Sequence, residues 1–291
     1  MAYIAKAIAA VSDLSTADSL DFTAKFLPPL LGVVIMAVIY MAASKIYNRR
    51  VALLSSFAWA ASGHAILYGG AAGNVDRDVL NILLLSTGAF VLYLSRDWQL
   101  RMGGRNVGWL AGGLSVLVIE AALYLEWNFV GPTLLLAIIV SSAFGGALLF
   151  RANEAQNGQD ARQRLRAAMS AARWRTLGLV IGANAMAIAA FYPESGSWFG
   201  TATRTVAGGG AAAINELQGV WARGFLDFAN YHFFLIPIAM GLYLAWKRRE
   251  QGTIFFASWY LCIVVLSMFS SRVLIYAAPA ACLLAGVGLS S

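Results

Sequence analysis

The chain has 291 residues, 60% of them hydrophobic and only 12% charged, with a mean hydropathy of +0.69. Soluble domains carry about a quarter charged residues, so this composition excludes an ordinary water-soluble enzyme and makes the bilayer the expected solvent. The net charge of +7 and the pI near 9.6 do not point to nucleic acid, because the cations lie in short segments between apolar runs, as membrane topology dictates.

Residues 1–26 hold Asp13, Asp18 and Asp21 and lack a charged-then-apolar leader, so no cleavable signal peptide is expected. Ala2 to Leu20 carries a weak amphipathic pattern. Apolar runs of roughly spanning length follow at 27–43, 51–68, 79–95, 107–125, 128–150, 176–192, 229–246, 253–270 and 273–289. The expected fold is therefore all-α, a polytopic membrane bundle of about nine helices. It forms a single transmembrane domain over 1–291, with a long external loop at about 193–228 and no soluble C-terminal domain. Cys262 and Cys282 fall inside apolar runs and read as small core hydrophobes rather than as a disulfide, metal or redox pair.

The loops after the first, third, fifth and seventh runs (44–50, 96–106, 151–175 and 247–252) carry fifteen of the 21 basic residues. The positive-inside bias assigns them to the cytoplasm, and nine alternating crossings then start the chain outside. The acids give the complementary pattern. Asp13, Asp18, Asp21, Asp76, Asp78, Glu126, Glu194, Glu216 and Asp227 fall on the opposite side, while Glu120 lies within the fourth run. Carboxylate chemistry is expected on the non-cytoplasmic face of the cell membrane.

Three features on that face could carry chemistry. Gly73-Asn74-Val75-Asp76-Arg77-Asp78 sets two carboxylates two residues apart at a helix start, where they can converge on a divalent cation or serve as caps. Glu216 lies in the Pro193–Asp227 connection, whose length suggests a functional loop, although it too could cap a short helix. Arg272 follows Ser270 and Ser271 between the last two runs. Its planar fork suits a phosphate, but it could equally snorkel to lipid headgroups. His232 reads as a packed or interfacial residue, and Trp127, Trp198 and Trp221 as interfacial aromatics.

Read in order, these motifs resemble the membrane domain of the oligosaccharyltransferase catalytic subunit, in its single-subunit bacterial or archaeal style. Phe26-Leu27-Pro28-Pro29-Leu30-Leu31-Gly32 resembles the family's proline-containing helix start, and Lys45-Ile46-Tyr47-Asn48-Arg49-Arg50 the basic turn after it. Ala72 to Asp78 resembles the second external Asp-x-Asp motif, and Ala213-Ile214-Asn215-Glu216 the Ser/Thr-x-x-Glu motif of the long loop. Arg272-Val273-Leu274-Ile275-Tyr276-Ala277-Ala278-Pro279 resembles the arginine-containing helix start near the lipid-linked donor.

The resemblance implies a C-type glycosyltransferase fold and transfer of a glycan from a lipid-linked oligosaccharide to an asparagine amide of an acceptor polypeptide. It implies that Asp76, Asp78 and Glu216 hold Mn²⁺ or Mg²⁺, with Asp76 and Glu216 catalytic. Glu216 would orient the acceptor amide and Arg272 would bind the donor pyrophosphate. Membrane lipids are the other expected partner, and nucleic acid is not one.

Several family features differ. Asp18-Ser19-Leu20-Asp21 lacks the spacing of an earlier Asp-x-Asp motif, and Ala213 stands where the family has Ser or Thr. Tyr68-Gly69-Gly70-Ala71 offers no arginine, and the acceptor-reading Trp-Trp-Asp motif is not within 1–291. The expectation is a partial or diverged form. Two alternatives stay open: another polyprenyl-phosphate-dependent glycosyltransferase, and a non-enzymatic polytopic membrane protein.

Overall fold

The computed structural model describes residues 10, 15–62, 78–95, 101–102, 105–106, 108–127, 132, 134–141, 178, 181–182, 235–248, 250–268 and 271–291. These residues are helical apart from turns and one minimal β pair. Helix α1 spans Thr16–Ile46, α2 Arg49–Ala61, α3 Asp78–Ser95 and α4 Gly108–Trp127. Between α3 and α4, strand β1 (Arg101–Met102) pairs antiparallel with β2 (Arg105–Asn106). Later come α5 (Leu235–Arg248), α6 (Gln251–Ser267), a 3-10 helix (Ser271–Ala277) and α7 (Ala278–Ser290). Helical backbone at 132 and 134–141 falls in the fifth expected run, and at 178 and 181–182 in the sixth. The remainder of those two runs, and residues 63–77 after the second, lie outside the described residues.

Two boundaries differ from the sequence expectation for local physical reasons. Helix α1 begins at Thr16, well before the expected 27. Ser15 caps it, its Oγ accepting the Asp18 amide at 3.2 Å, and Asp18 places an acid at the positive end of the dipole. A hydropathy run does not register a capped polar turn. Pro28 and Pro29 consequently sit inside the helix rather than at its start, where each removes an amide donor from the backbone ladder. The ninth run opens as a 3-10 turn and becomes α-helical only at Ala278.

Two described helical stretches are long and apolar enough to cross a membrane, Asp21–Ile46 and Val273–Ser290. Val79–Ser95, Leu110–Leu123 and Gln251–Ser267 are apolar but shorter.

Packing is antiparallel where short turns join neighbours. Tyr47 and Asn48 connect α1 to α2, and the Asn48 side chain caps α2 by accepting the Val51 amide at 2.9 Å. Higher in that hairpin, Trp59 Nε1 donates to the Gly32 carbonyl at 3.0 Å. Helices α3 and α4 pair beside the 134–141 stretch. A methyl group built on Gly88 would come within 3.0 Å of Leu135 and 3.2 Å of Ile119.

Helix α7 is the centre of the molecule, with every residue from Pro279 to Gly288 buried. Its small residues allow backbone contact. Gly286 lies against Ser55 and the Val51 carbonyl, Gly288 against the Pro237 carbonyl, and Gly241 of α5 against the Leu284 carbonyl. Cys282 is buried in α7 and Cys262 half-buried in α6, both as free thiols.

The outward faces are as apolar as the core. The helix residues Leu30, Phe57, Leu114, Val118, Ile236 and Val265 are all exposed, Val118 at 70% and Ile236 at 76%. Glu120, inside α4, is a buried acid.

Candidate functional site

The geometry is set by two ends of the bundle. At one end, the α1–α2 turn meets the start of α6. Tyr47 donates to Thr253 Oγ1 at 3.0 Å, and Thr253 donates to Glu250 Oε2 at 3.4 Å. Burial pushes the Tyr47 phenol well above its ordinary pKa of 10.0, opposed by the Thr253 hydrogen bond and reinforced by Tyr93 and Glu250. A methyl group on Gly252 would stand 3.3 Å from both the Tyr47 and Tyr93 hydroxyls. Gly252 is thus what allows the end of α3 to close on this corner. The turns after the first and seventh expected runs, two of the four cationic segments, meet here beside the end of α3.

The opposite end follows from the helix directions. Tyr93 packs on Phe255 and Phe256, and Phe90 on Phe256 and Trp259. As α3 is followed backwards α6 advances, so the two helices are antiparallel. From Tyr93 back to Asp78 the helix rises about 22 Å, and from Gly252 to Ser267 about the same. The backbone of Asp78, which opens α3, and that of Arg272, in the 3-10 turn after α6, therefore share the end remote from the cationic turns. The 3-10 turn touches α3, α6 and α7. It is anchored by Trp259 Nε1, which donates to the Tyr276 carbonyl at 3.1 Å.

Of the expected site residues, Asp78 and Arg272 are brought to one end in this sense. Their side chains, and all of Asp76 and Glu216, lie outside the described residues. Among the described residues, no group of three or more His, Cys, Asp or Glu side chains could hold a metal ion.

One residue at this end escaped sequence reasoning. Asn81 lies one turn inside Asp78 on α3 and is 1% exposed. Its Oδ1 has no hydrogen-bond partner among the described residues. An unsatisfied buried carbonyl costs about 1–3 kcal/mol, which makes Asn81 a poor core residue and a reasonable ligand-facing one. The signal was present in the sequence as the one amide in the run Val79-Leu80-Asn81-Ile82-Leu83-Leu84-Leu85. The buried hydroxyls of Ser19, Ser55 and Ser56 also have no partner among the described residues, whereas Ser86 is satisfied by donating to the Ile82 carbonyl at 2.5 Å.

Carboxylate and amide oxygens such as those of Asp78 and Asn81 are the donor type that hard divalent cations such as Mg²⁺ or Mn²⁺ take. A guanidinium on the same end suits a phosphate. No family model matches the chain, and no curated protein matches it.

Proposed function

We propose that the chain is a multi-pass membrane protein of about nine spans, with a glycosyltransferase site on its non-cytoplasmic face. The site is of the oligosaccharyltransferase kind, on a C-type glycosyltransferase-like bundle. The observation that carries this reading is the shared end of Asp78 and Arg272, remote from the cationic turns. Cationic loops stay cytoplasmic, so that remote end faces outward. The apolar exposed faces of α1, α2, α4, α5 and α6 support the multi-pass part, because a water-facing helix carries polar residues there.

In this reading the acceptor asparagine amide nitrogen attacks the anomeric carbon of a lipid-pyrophosphate glycan. A C–N bond forms, the C–O bond to the pyrophosphate breaks, and the bonding pair leaves with the phosphate. Glu216 accepts a hydrogen bond from the amide N–H, which orients the nitrogen, and takes that proton as the C–N bond forms. Arg272 holds the pyrophosphate with charge-assisted hydrogen bonds that strengthen as the leaving group gains charge. Asp76, Asp78 and Glu216 would hold Mn²⁺ or Mg²⁺, which when bound supplies further positive charge to the departing phosphate. The Asn81 Oδ1, one turn inside, would offer a further oxygen to such a cation.

The test is transfer by the whole chain in proteoliposomes, using a fluorescent polyprenyl-pyrophosphate glycan and a peptide bearing Asn-x-Thr. Glycopeptide should form with Mn²⁺ and stop with EDTA. Transfer to a lipid or saccharide acceptor but not to peptide would assign the second glycosyltransferase class. No transfer to any acceptor, together with no Mn²⁺ binding by electron paramagnetic resonance, would overturn the enzymatic reading.

A further inference from the structure

The cationic end holds a second site of a different kind. Val51 of α2, Leu244 of α5 and Val287 of α7 form a small apolar cluster there, with Tyr47 packed on it. Arg49 and Arg50 precede Val51 directly. Lys247 and Arg248 follow Leu244 by about one turn, roughly 5 Å of rise. All four cations are exposed, as is Lys45 at the end of α1. Among the described residues at this end, Glu250 is the one acid, and its Oε2 accepts from Thr253. Two cation pairs on separate helices thus flank one apolar seam.

Helix-dipole compensation accounts for only half of this pattern. Lys45, Lys247 and Arg248 lie at helix C-termini, where cations are favoured. Arg49 and Arg50 open α2 at its positive end, with no acid in that first turn, where the dipole disfavours them. Their position makes electrostatic sense when an anion sits between them and the Lys247–Arg248 pair.

The surroundings specify what kind of anion. Tyr243 and Trp246 are exposed on α5 just before the cations, and Lys247 Nζ lies 5.9 Å from the centre of the Tyr243 ring. Aromatic residues so placed mark headgroup depth. One to two turns deeper, Leu53 and Phe57 on α2 and Met240 and Ile236 on α5 are exposed and apolar, a surface for acyl chains. Basic recesses between membrane helices on the cytoplasmic side favour multiply anionic headgroups.

From these features we infer a binding site for a phospholipid carrying two phosphates, one on Arg49 and Arg50 and the other on Lys247 and Arg248. The acyl chains lie along the exposed faces of α2 and α5. The inference rests on the multi-pass membrane reading but not on the glycosyltransferase one.

The test uses the full chain purified in a neutral detergent, titrated separately with cardiolipin, phosphatidylglycerol, phosphatidylcholine and inorganic pyrophosphate. Bound lipid is counted by native mass spectrometry. One cardiolipin per chain should be retained at least tenfold more tightly than phosphatidylglycerol, with pyrophosphate far weaker. The variant carrying R49Q, R50Q, K247Q and R248Q should lose that preference and keep the lipid-free melting temperature. K25Q, at the remote end and paired with Asp21 at 2.6 Å in the parent, should keep it.

Equal retention of cardiolipin by the fourfold variant, or pyrophosphate binding as tight as cardiolipin binding, would overturn the site. Should the fourfold variant not fold, the pairs R49Q/R50Q and K247Q/R248Q are each expected to weaken cardiolipin at least threefold, and no loss in either overturns the proposal. A chain washed from membranes by carbonate fails the multi-pass reading itself. A membrane-retained chain without lipid preference fails only this inference.

Discussion

The two ends of the bundle are built differently. The cationic end is closed by short turns. Tyr47 and Asn48 join α1 to α2, Glu250 leads straight into α6, and Gly252 lets three elements meet around two tyrosine hydroxyls. The contacts lie beside turns but join distant stretches of chain, Tyr47 with Thr253 and Gly252 with Tyr93. The remote end brings together the backbone of Asp78, at the start of α3, and of Arg272, in a 3-10 turn; in the proposed reading Asp76 and Glu216 join them there. Tyr47, Thr253 and Glu250 at the first end satisfy one another, whereas the Asn81 Oδ1 near the second is, like the hydroxyls of Ser19, Ser55 and Ser56, left short of a partner. Satisfied polar groups hold a fold together; unsatisfied ones near convergent charges are where chemistry is expected.

The sharpest way to break the comparison is to neutralise the remote end. Asp76→Asn, Asp78→Asn and Glu216→Gln should each reduce glycan transfer by about 100-fold or more, as expected for groups serving charge development. Stability should change little. Charge-neutralising variants at the cationic end should leave transfer within about twofold. If Asp78→Asn keeps full turnover in the proteoliposome assay, the remote end is not the reacting one.

Backbone contact at the molecule's centre gives the next largest effect, and it falls on stability. At Gly241 a side chain would meet the Leu284 carbonyl, and at Gly286 the Ser55 amide and Val51 carbonyl. These are backbone atoms that cannot rotate away. Gly241→Val and Gly286→Leu should each cost about 1–3 kcal/mol, read as an earlier melting transition in detergent. Gly32, with nothing within 4 Å of an added methyl, should accept alanine without loss.

Asn81→Leu separates the two kinds of polar group directly. If Asn81 is a ligand-facing residue kept at a cost in stability, leucine should raise metal-free stability by about 1 kcal/mol, the orphaned carbonyl being gone. Mn²⁺ affinity should fall about tenfold. A loss of stability with unchanged Mn²⁺ affinity would make Asn81 a structural residue.

Much of the helical skeleton was legible because apolar runs of spanning length with at most one charge leave few alternatives. The 79–95 and 107–125 runs coincide with α3 and α4 to within two residues. Two of the four cationic turns, those after the first and seventh runs, lie together at one end. Hydropathy could not show the start of α1, which depends on a Ser15 cap, or the 3-10 opening of the last helix, which depends on Trp259 reaching the Tyr276 carbonyl. The site was legible only as residue types in order, since carboxylates that chelate and carboxylates that cap look alike in sequence. Asn81 illustrates the remaining gap: its burial and its missing partner are properties of packing.

The smallest expected effect tests the cationic end as a structural corner. Tyr47→Phe removes the hydrogen bond to Thr253 and should cost about 0.5–1.5 kcal/mol, with transfer unchanged. Its pH dependence has a definite sign. The folded pKa of Tyr47 is raised above its ordinary 10.0, chiefly by burial, so the folded state holds this proton more tightly than the unfolded chain. The corresponding stability is complete below about pH 10 and is lost as pH rises toward the raised folded value. Between pH 9 and 11 the parent should therefore lose more stability than Tyr47→Phe, and the difference between their melting temperatures should shrink as pH rises. A constant difference across that range would show that the Tyr47 phenol ionises as freely in the folded chain as in the unfolded one. The corner would then be open to water rather than sealed by Gly252 and Tyr93.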